Sequence, residues 1–245
     1  KDEKIIVALN GRDTAGKWND IRKLTRYLNS GIYEIKAFGI PTDTERKWYN
    51  WFQRYINYFP KEKNLQLFDR SWYNRSTVEA AMGFCTEQEY NWFMENVNDF
   101  EKSEIIDKWY KLVKIYLSVS KETQNKRLET RKSIKERRKL SYVDSQAQSK
   151  WEYYILAKQK ILEQTNTTYA PWIIIDSNKR YLSAIEIIKA IIWTSPKIKQ
   201  DIEKQLNINL SPHADLSRNA KQELVHMKNK WDIPLDLKGF EFKKD

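Results

Sequence analysis

The sequence predicts an α/β domain built on a parallel sheet with helices on both faces, and three observations predict it. Five short apolar runs alternate with stretches of helical spacing. A glycine-rich loop ends the first run and opens a helix. An aspartate ends the third run, where strand ends of such a sheet converge on one crevice.

Taken in order, Ile5, Ile6, Val7, Ala8 and Leu9 form a short, mostly β-branched run that stops near Gly11 and reads as a buried strand. Residues 18–28 carry Ile21, Leu24 and Leu28 at helical spacing, with Gly31 as a stop. Residues 33–38 are a second strand. Residues 44–58 read as one helix closed by Pro60, and residues 65–68 as a third strand ending at Asp69. Thr86 is placed to cap a helix, with Glu89 as its capping-box partner. Residues 112–119 read as a strand, 120–131 as a helix, 151–165 as a helix, 172–175 as a strand and 181–193 as a helix. Between them, residues 132–150 hold few apolar side chains and many charges. This predicts one α/β domain over residues 1–194, with the charged segment at about 132–150 set apart from its core. It leaves a helical, proline-punctuated tail over 195–245, in which Leu206, Ile208 and Leu210 alternate and Leu224, Met227 and Trp231 recur at helical spacing.

The composition narrows the function classes. The chain has 245 residues, 40% hydrophobic and 13% aromatic, enough for one domain with a core filled by large side chains. A net charge of +11 makes polyanions the first partners to test. Cys85 is the sole cysteine, and His213 and His226 are the two histidines, so neither an internal disulfide nor a Cys/His zinc site is expected. A reducing cytoplasm fits that usage. No run approaches the ~18 apolar residues of a membrane span, and no secretory leader is expected. The chain opens on Lys1 rather than Met, as it would if an upstream segment had been trimmed.

Gly11-Arg12-Asp13-Thr14-Ala15-Gly16-Lys17 fits the Gly-x4-Gly-Lys phosphate loop between a strand and a helix. Glycines let the backbone approach phosphate oxygens, successive amides form an anion nest, and the helix N-terminus adds positive potential. Lys17 supplies a mobile cation. Trp18 stands where the usual magnesium-binding hydroxyl would be, and Asp13 is the natural substitute because magnesium prefers carboxylate oxygen. Gly11, Arg12, Thr14, Ala15 and Gly16 are therefore candidate phosphate contacts with Lys17. Asp69 sits where such proteins orient magnesium. Arg70 can offset charge on a transferring phosphoryl group, and Arg75 can grip another phosphate. Without the loop upstream, Asp69 would read equally well as a helix cap.

These strings resemble a known family. Residues 10–17 are similar to the Walker A segment of the family-2 polyphosphate kinases, and Phe68-Asp-Arg-Ser-Trp-Tyr-Asn-Arg75 is similar to their Walker B. Val78-Glu79, residues 82–86, 116–120 and 138–141, Asp144, Ala170-Pro-Trp172 and Asp176 continue the likeness in unbroken order from residue 4 to about 193. The resemblance implies a thymidylate-kinase-like P-loop fold, a three-layer parallel sheet with a helical lid. It implies reversible, Mg2+-dependent transfer of a terminal phosphate between inorganic polyphosphate and a nucleotide. Carried over by position, Asp13 and Asp69 hold metal, Lys17 and Arg70 touch the transferring phosphate, and Glu79 lies near the metals. Asn74 and Arg75 join the phosphate and nucleotide contacts. Two departures stand out: Trp18-Asn19 where the family has two glycines, and Ser133-Ile134 where its lid has Asp-Pro.

Arg127, Arg131, Lys132, Lys135, Arg137, Arg138 and Lys139 form a basic run that alone would read as a solvated helix face. Its position makes it a candidate lid, with Arg137 as an arginine finger and Arg131 and Lys139 as phosphate or nucleotide contacts. Asn10 and the Gly-Arg-Asp-x-Ala-Gly-Lys form of the loop resemble the family members that act on nucleoside diphosphates, which implies ADP and GDP as acceptors, giving ATP and GTP. An AMP-phosphorylating polyphosphate enzyme or an ATP-dependent nucleoside monophosphate kinase stay open. So do a nucleic-acid-binding P-loop protein, against which the aromatics fall on helices that bury them, and a scaffold with a relic loop. No nucleic-acid or membrane partner is expected. The resemblance suggests a homo-oligomer, dimer or tetramer.

Overall fold

A computed structural model describes residues 3–132, 142–207, 217–230 and 239–244. A six-stranded sheet in the order β2-β3-β1-β4-β5-β6 forms its centre. The strands β1 (Lys4–Gly11), β2 (Tyr33–Ala37), β3 (Leu65–Asp69), β4 (Tyr110–Ser118) and β5 (Trp172–Asp176) run parallel, and β6 (Ser217–Asn219) pairs antiparallel with β5. All five expected strands form. β6 comes from the segment expected to be a helical tail.

Helices cover both faces. They are α1 (Lys17–Thr25), α2 (Asp43–Arg46), α3 (Trp48–Trp51), α4 (Gln53–Ile56), α5 (Ala80–Met82), α6 (Glu87–Phe100) and α7 (Lys121–Lys132). They continue with α8 (Tyr142–Gln146), α9 (Trp151–Gln164), α10 (Arg180–Thr194), α11 (Pro196–Leu206) and α12 (Ala220–Asn229). Residues 44–58, expected as one helix, form three short ones. Lys47 takes an extended ψ of 133°, which ends α2 and starts the chain in a new direction. Thr86 and Glu89 make the capping box that opens α6.

β1 shows why both faces are covered. Ile5, Val7 and Leu9 point to one side and Ile6 and Ala8 to the other, and all five are buried. The first side is aliphatic, closed by Ile21 and Leu24 of α1 and Ile187 and Ala190 of α10. The second is aromatic, with Trp51, Tyr55, Trp72, Tyr73, Phe93, Phe100 and Trp172. Within it lies a fully buried ion pair, Lys114–Glu101 at 2.7 Å. Its charges are further met by Trp72 and Tyr73, which donate to Glu101, and by the Thr165 carbonyl, which accepts from Lys114. Trp72 and Tyr73 follow Asp69 and Arg70 after one residue, Ser71, so this pair anchors the turn beside the strand ends. Among the described residues no helix is long and apolar enough to cross a membrane.

Candidate active site

Sheet register brings the two acidic segments together. Leu9 of β1 pairs with Asp69 of β3, and Gly11 pairs with Leu117 of β4. The loop after β1 therefore starts beside Asp69, although the two are far apart in sequence. At Gly11 only glycine fits: φ is 139°, and a Cβ would stand 2.6 Å from the Leu117 carbonyl oxygen. Thr14 (φ 63°), Gly16 (φ 110°) and Arg70 (φ 71°) also occupy left-handed backbone. Such strain gathers where surrounding structure enforces it, and here it rings one cleft.

That cleft measures about 500 Å³ and is lined by Asp13, Thr14, Gly16, Lys17, Trp18, Asn19, Asp69, Arg70, Arg127, Thr130, Arg131, Asp144 and Arg180. A second recess shares Asp13, Lys17 and Arg70 with it and adds Asn74, Thr77, Tyr116 and Tyr154. The Lys17 ammonium donates to the carbonyls of Gly11 at 2.7 Å and Arg12 at 3.2 Å. Burial pulls its pKa below the ordinary lysine value, while Asp69 and Asp13 act to raise it. Ala15, in the middle of the loop, is buried in the aliphatic core. Trp18 is 49% exposed at the cleft edge.

Asp13 Oδ2 accepts from the Tyr154 hydroxyl at 3.2 Å, and the Asp13 carbonyl accepts from Gln124 Nε2 at 3.0 Å. Asp69 Oδ1 and the Thr14 hydroxyl are shielded from solvent without a hydrogen-bond partner. A shielded carboxylate oxygen with no donor is costly unless a cation meets it. Among the described residues no cluster of three or more His, Cys, Asp or Glu could hold a metal. Two carboxylates suffice for magnesium, which keeps several waters and takes phosphate oxygens for the rest. Asp13 and Asp69 fit that donor set.

Several assignments from sequence change. The Arg12 side chain leaves the cleft: its guanidinium lies 3.5 Å from the Trp151 ring centroid and donates to the Trp151 carbonyl at 3.1 Å. Arg75, assigned to phosphate, is 1% exposed, pairs with Glu79 at 3.1 Å and Glu89 at 3.0 Å, and stacks over Trp51. Glu79, assigned to metal, is held in that same network by Arg75 and Arg46 and lines neither recess. Its carboxyl is raised by burial against the pull of the two arginines. Its Oε2 lies 3.1 Å from Arg75 and its Oε1 3.9 Å from Arg46, and Oε2 is shielded from solvent without a hydrogen bond. Arg137 and Lys139 lie outside the described residues.

Arg180 and Tyr154 were not anticipated, and Arg127 takes a different place from the one expected. Arg127, read as part of a lid, is buried, and its guanidinium bridges two loops. It donates to Thr14 O at 2.9 Å, Ala15 O at 3.3 Å, Ser177 O at 2.6 Å and Asn178 O at 3.1 Å. Burial lowers its pKa to about 10, so it stays charged at neutral pH. Arg131 pairs with Asp144 at 2.7 Å across the cleft edge, and Arg180 reaches the same cleft from the start of α10. Tyr154 carried no local signal. It reads as one more apolar residue on α9.

Residues 1–204 match the sequence model of the family described as Polyphosphate kinase 2 (PPK2). This chain belongs to the polyphosphate kinase 2 family. The PKK2A protein of Corynebacterium glutamicum is 40% identical over 200 residues, 81% of this chain and 62% of that protein. The GDP-polyphosphate phosphotransferase of Mycobacterium tuberculosis is 37% identical over 221 residues, 89% of this chain and 73% of its own length. The crystal structure of polyphosphate kinase 2 from Arthrobacter aurescens TC1 superposes with a TM-score of 0.70 at 26% identity, covering 92% of this chain and 76% of that one. The polyphosphate kinase 2 likeness and the strand–loop–helix at Gly11–Lys17 place the domain among P-loop kinase folds. The chain spans less than two thirds of the PKK2A protein's length.

Proposed function

We propose that the chain transfers a terminal phosphate reversibly between inorganic polyphosphate and a nucleoside diphosphate, ADP or GDP, giving ATP or GTP. One observation carries this reading: Asp13, Lys17, Asp69, Arg70, Arg131 and Arg180 face a single cleft built on the phosphate loop. Relatives named GDP-polyphosphate phosphotransferase and ADP-polyphosphate phosphotransferase support the nucleotide class.

Phosphoryl transfer needs positioning and charge neutralisation more than covalent chemistry. The loop amides hold phosphate oxygens. Lys17, which here satisfies loop carbonyls, exchanges them for phosphate when substrate enters. Arg70, exposed at the cleft and held at a positive φ, offsets charge on the group in transit. Arg131 and Arg180 bind flanking phosphates of a polyanionic chain. Asp13 and Asp69 would hold Mg2+, which would supply neutralisation of the charge on the reacting phosphates. The segment 132–150 serves as a lid, with Arg137 as its finger and Lys139 beside it. The protein acts in the cytoplasm as a homo-oligomer.

A coupled assay tests this. With Mg2+ and polyphosphate, ADP and GDP should yield triphosphates in the absence of any other nucleotide, and AMP should react more slowly. Activity with ATP and a nucleoside monophosphate, and none with polyphosphate, would overturn the reading.

A further inference from the structure

The family match ends at residue 204, yet residues from 217–230 and 239–244 are packed onto the helix that holds Asp13. α9 presents Trp151, Tyr154 and Lys158 along one face, at intervals of three and four residues. Trp151 stacks under Arg12 of the phosphate loop, and Tyr154 donates to Asp13. Lys158 is 4% exposed and donates to Ser118 Oγ of β4 at 3.1 Å. Its other partner is Glu223 of α12, 1% exposed, which also accepts from Arg218 of β6. β6 is itself fixed by pairing with β5.

A second grip lies at the start of α9. Lys150 pairs with Glu241 at 2.7 Å, and Phe240 stacks on Tyr153 with centroids 6.4 Å apart. Phe240 and Phe242 also pack on Tyr90, and the Lys243 amide donates to the Cys85 carbonyl. Gly83 fits this contact, since a Cβ there would stand 2.6 Å from the Glu241 carbonyl oxygen. The start and the middle of α9 are thus held by two stretches of the C-terminal region, with Tyr154 between the two grips.

We propose that residues 217–230 and 239–244 clamp α9 so that Tyr154 fixes the Asp13 carboxylate for its divalent ion, making Tyr154 and Glu223 positioning residues for metal binding. This rests on the reading of Asp13 as a metal ligand. With Oδ2 engaged by Tyr154, Oδ1 remains to face the cation. Groups that orient metal ligands typically change affinity by about 10–100-fold when removed. The 3.2 Å length of this bond places Tyr154→Phe at the low end.

The test is binding of Mn2+ alone, followed by electron paramagnetic resonance of the free ion, together with melting temperature and the Mg2+ concentration for half-maximal rate. Tyr154→Phe keeps the ring and its packing and should weaken Mn2+ binding by about tenfold with little change in melting temperature. Glu223→Gln should weaken it in the same direction, and the two together should be less than additive. Mn2+ affinity within twofold of wild type in Tyr154→Phe would overturn the proposal. So would a Glu223→Gln variant that melts lower but binds Mn2+ normally. Asp13→Asn is the reference: if it leaves Mn2+ affinity unchanged, the metal role of Asp13 fails and the clamp proposal with it. A protein inert toward polyphosphate that still shows the full pattern would retain the clamp and refute the substrate reading alone.

Discussion

Arg127→Met tests whether the phosphate loop is held from behind. The guanidinium meets four carbonyls on two loops, at 2.6 to 3.3 Å. Thr14, Ala15 and Ser177 are buried, so water does not replace the lost donor there, whereas Asn178 is exposed and recovers a partner. A buried acceptor left without a donor costs about 1–3 kcal/mol. Three of them set a ceiling of about 9 kcal/mol, and relaxation of two loops brings the expected loss to about 3–5 kcal/mol. Urea unfolding should show a lower midpoint at an unchanged slope. Arg127→Lys restores charge but not the fork that spans both loops, and should recover less than half the loss.

Turnover discriminates further. Thr14 and Ala15 lie in the phosphate loop, so freeing their carbonyls should loosen the amides proposed to hold phosphate. Rates per folded molecule should fall at least tenfold in Arg127→Met at temperatures where the variant is fully folded. A variant within 1 kcal/mol of wild type, or one with normal turnover when folded, would refute the account of Arg127 as a brace.

Other expected outcomes follow from the same geometry. Burial raises the Asp20 carboxyl to about 6, so the folded state holds this proton more tightly than the unfolded chain. The stability linked to it is complete below the unfolded value of 3.8 and is lost as pH rises through about 6. Asp20→Asn keeps an acceptor for Ser183 and should gain about 1–3 kcal/mol at pH 8 and nothing at pH 4, and parallel profiles for variant and wild type would contradict it. Gly11→Ala drives a Cβ against the Leu117 carbonyl and should lose about 3 kcal/mol or more in chemical denaturation. Glu79→Gln leaves Arg75 short of charge and should cost about 2–4 kcal/mol while the Mg2+ dependence of the rate stays unchanged. A shifted Mg2+ dependence would return Glu79 to the metal site.

The sheet was legible because its strands are short apolar runs bounded by glycine, proline or charge, and both faces are buried. Asp13, Lys17, Asp69 and Arg70 were legible for a related reason: each follows a strand that stops at the same edge. What the sequence hid is direction. Arg75 sits five residues after Arg70, but a π-helical turn over Arg75–Glu79 aims it into the interior and leaves Asn74 and Thr77 at the recess. β6 was missed because Ser217–Asn219 is three polar residues with no alternation to read. Its strand character comes only from the open edge of β5. Tyr154 was hidden because a helix face turned to the core and one turned to an active site look alike when both are aromatic.

The arginines explain how far net charge can be trusted as a guide to substrate. A sum of +11 suggests a surface coated for a polyanion. Arg12, Arg75 and Arg127 are each nearly enclosed, and they act on rings, carboxylates and carbonyls of the protein itself. Burying a guanidinium is tolerable only where several acceptors meet it, which is why each of the three ties separate segments together. The cations that remain at the cleft are Lys17, Arg70, Arg131 and Arg180 among the described residues. They stand beside two carboxylates that, without a divalent ion, would repel the phosphates the cations attract. On the proposed function, recognition of a polyphosphate chain in this cleft is therefore conditional on the metal, and Arg12 and Arg127 would contribute by holding the loop that carries Asp13.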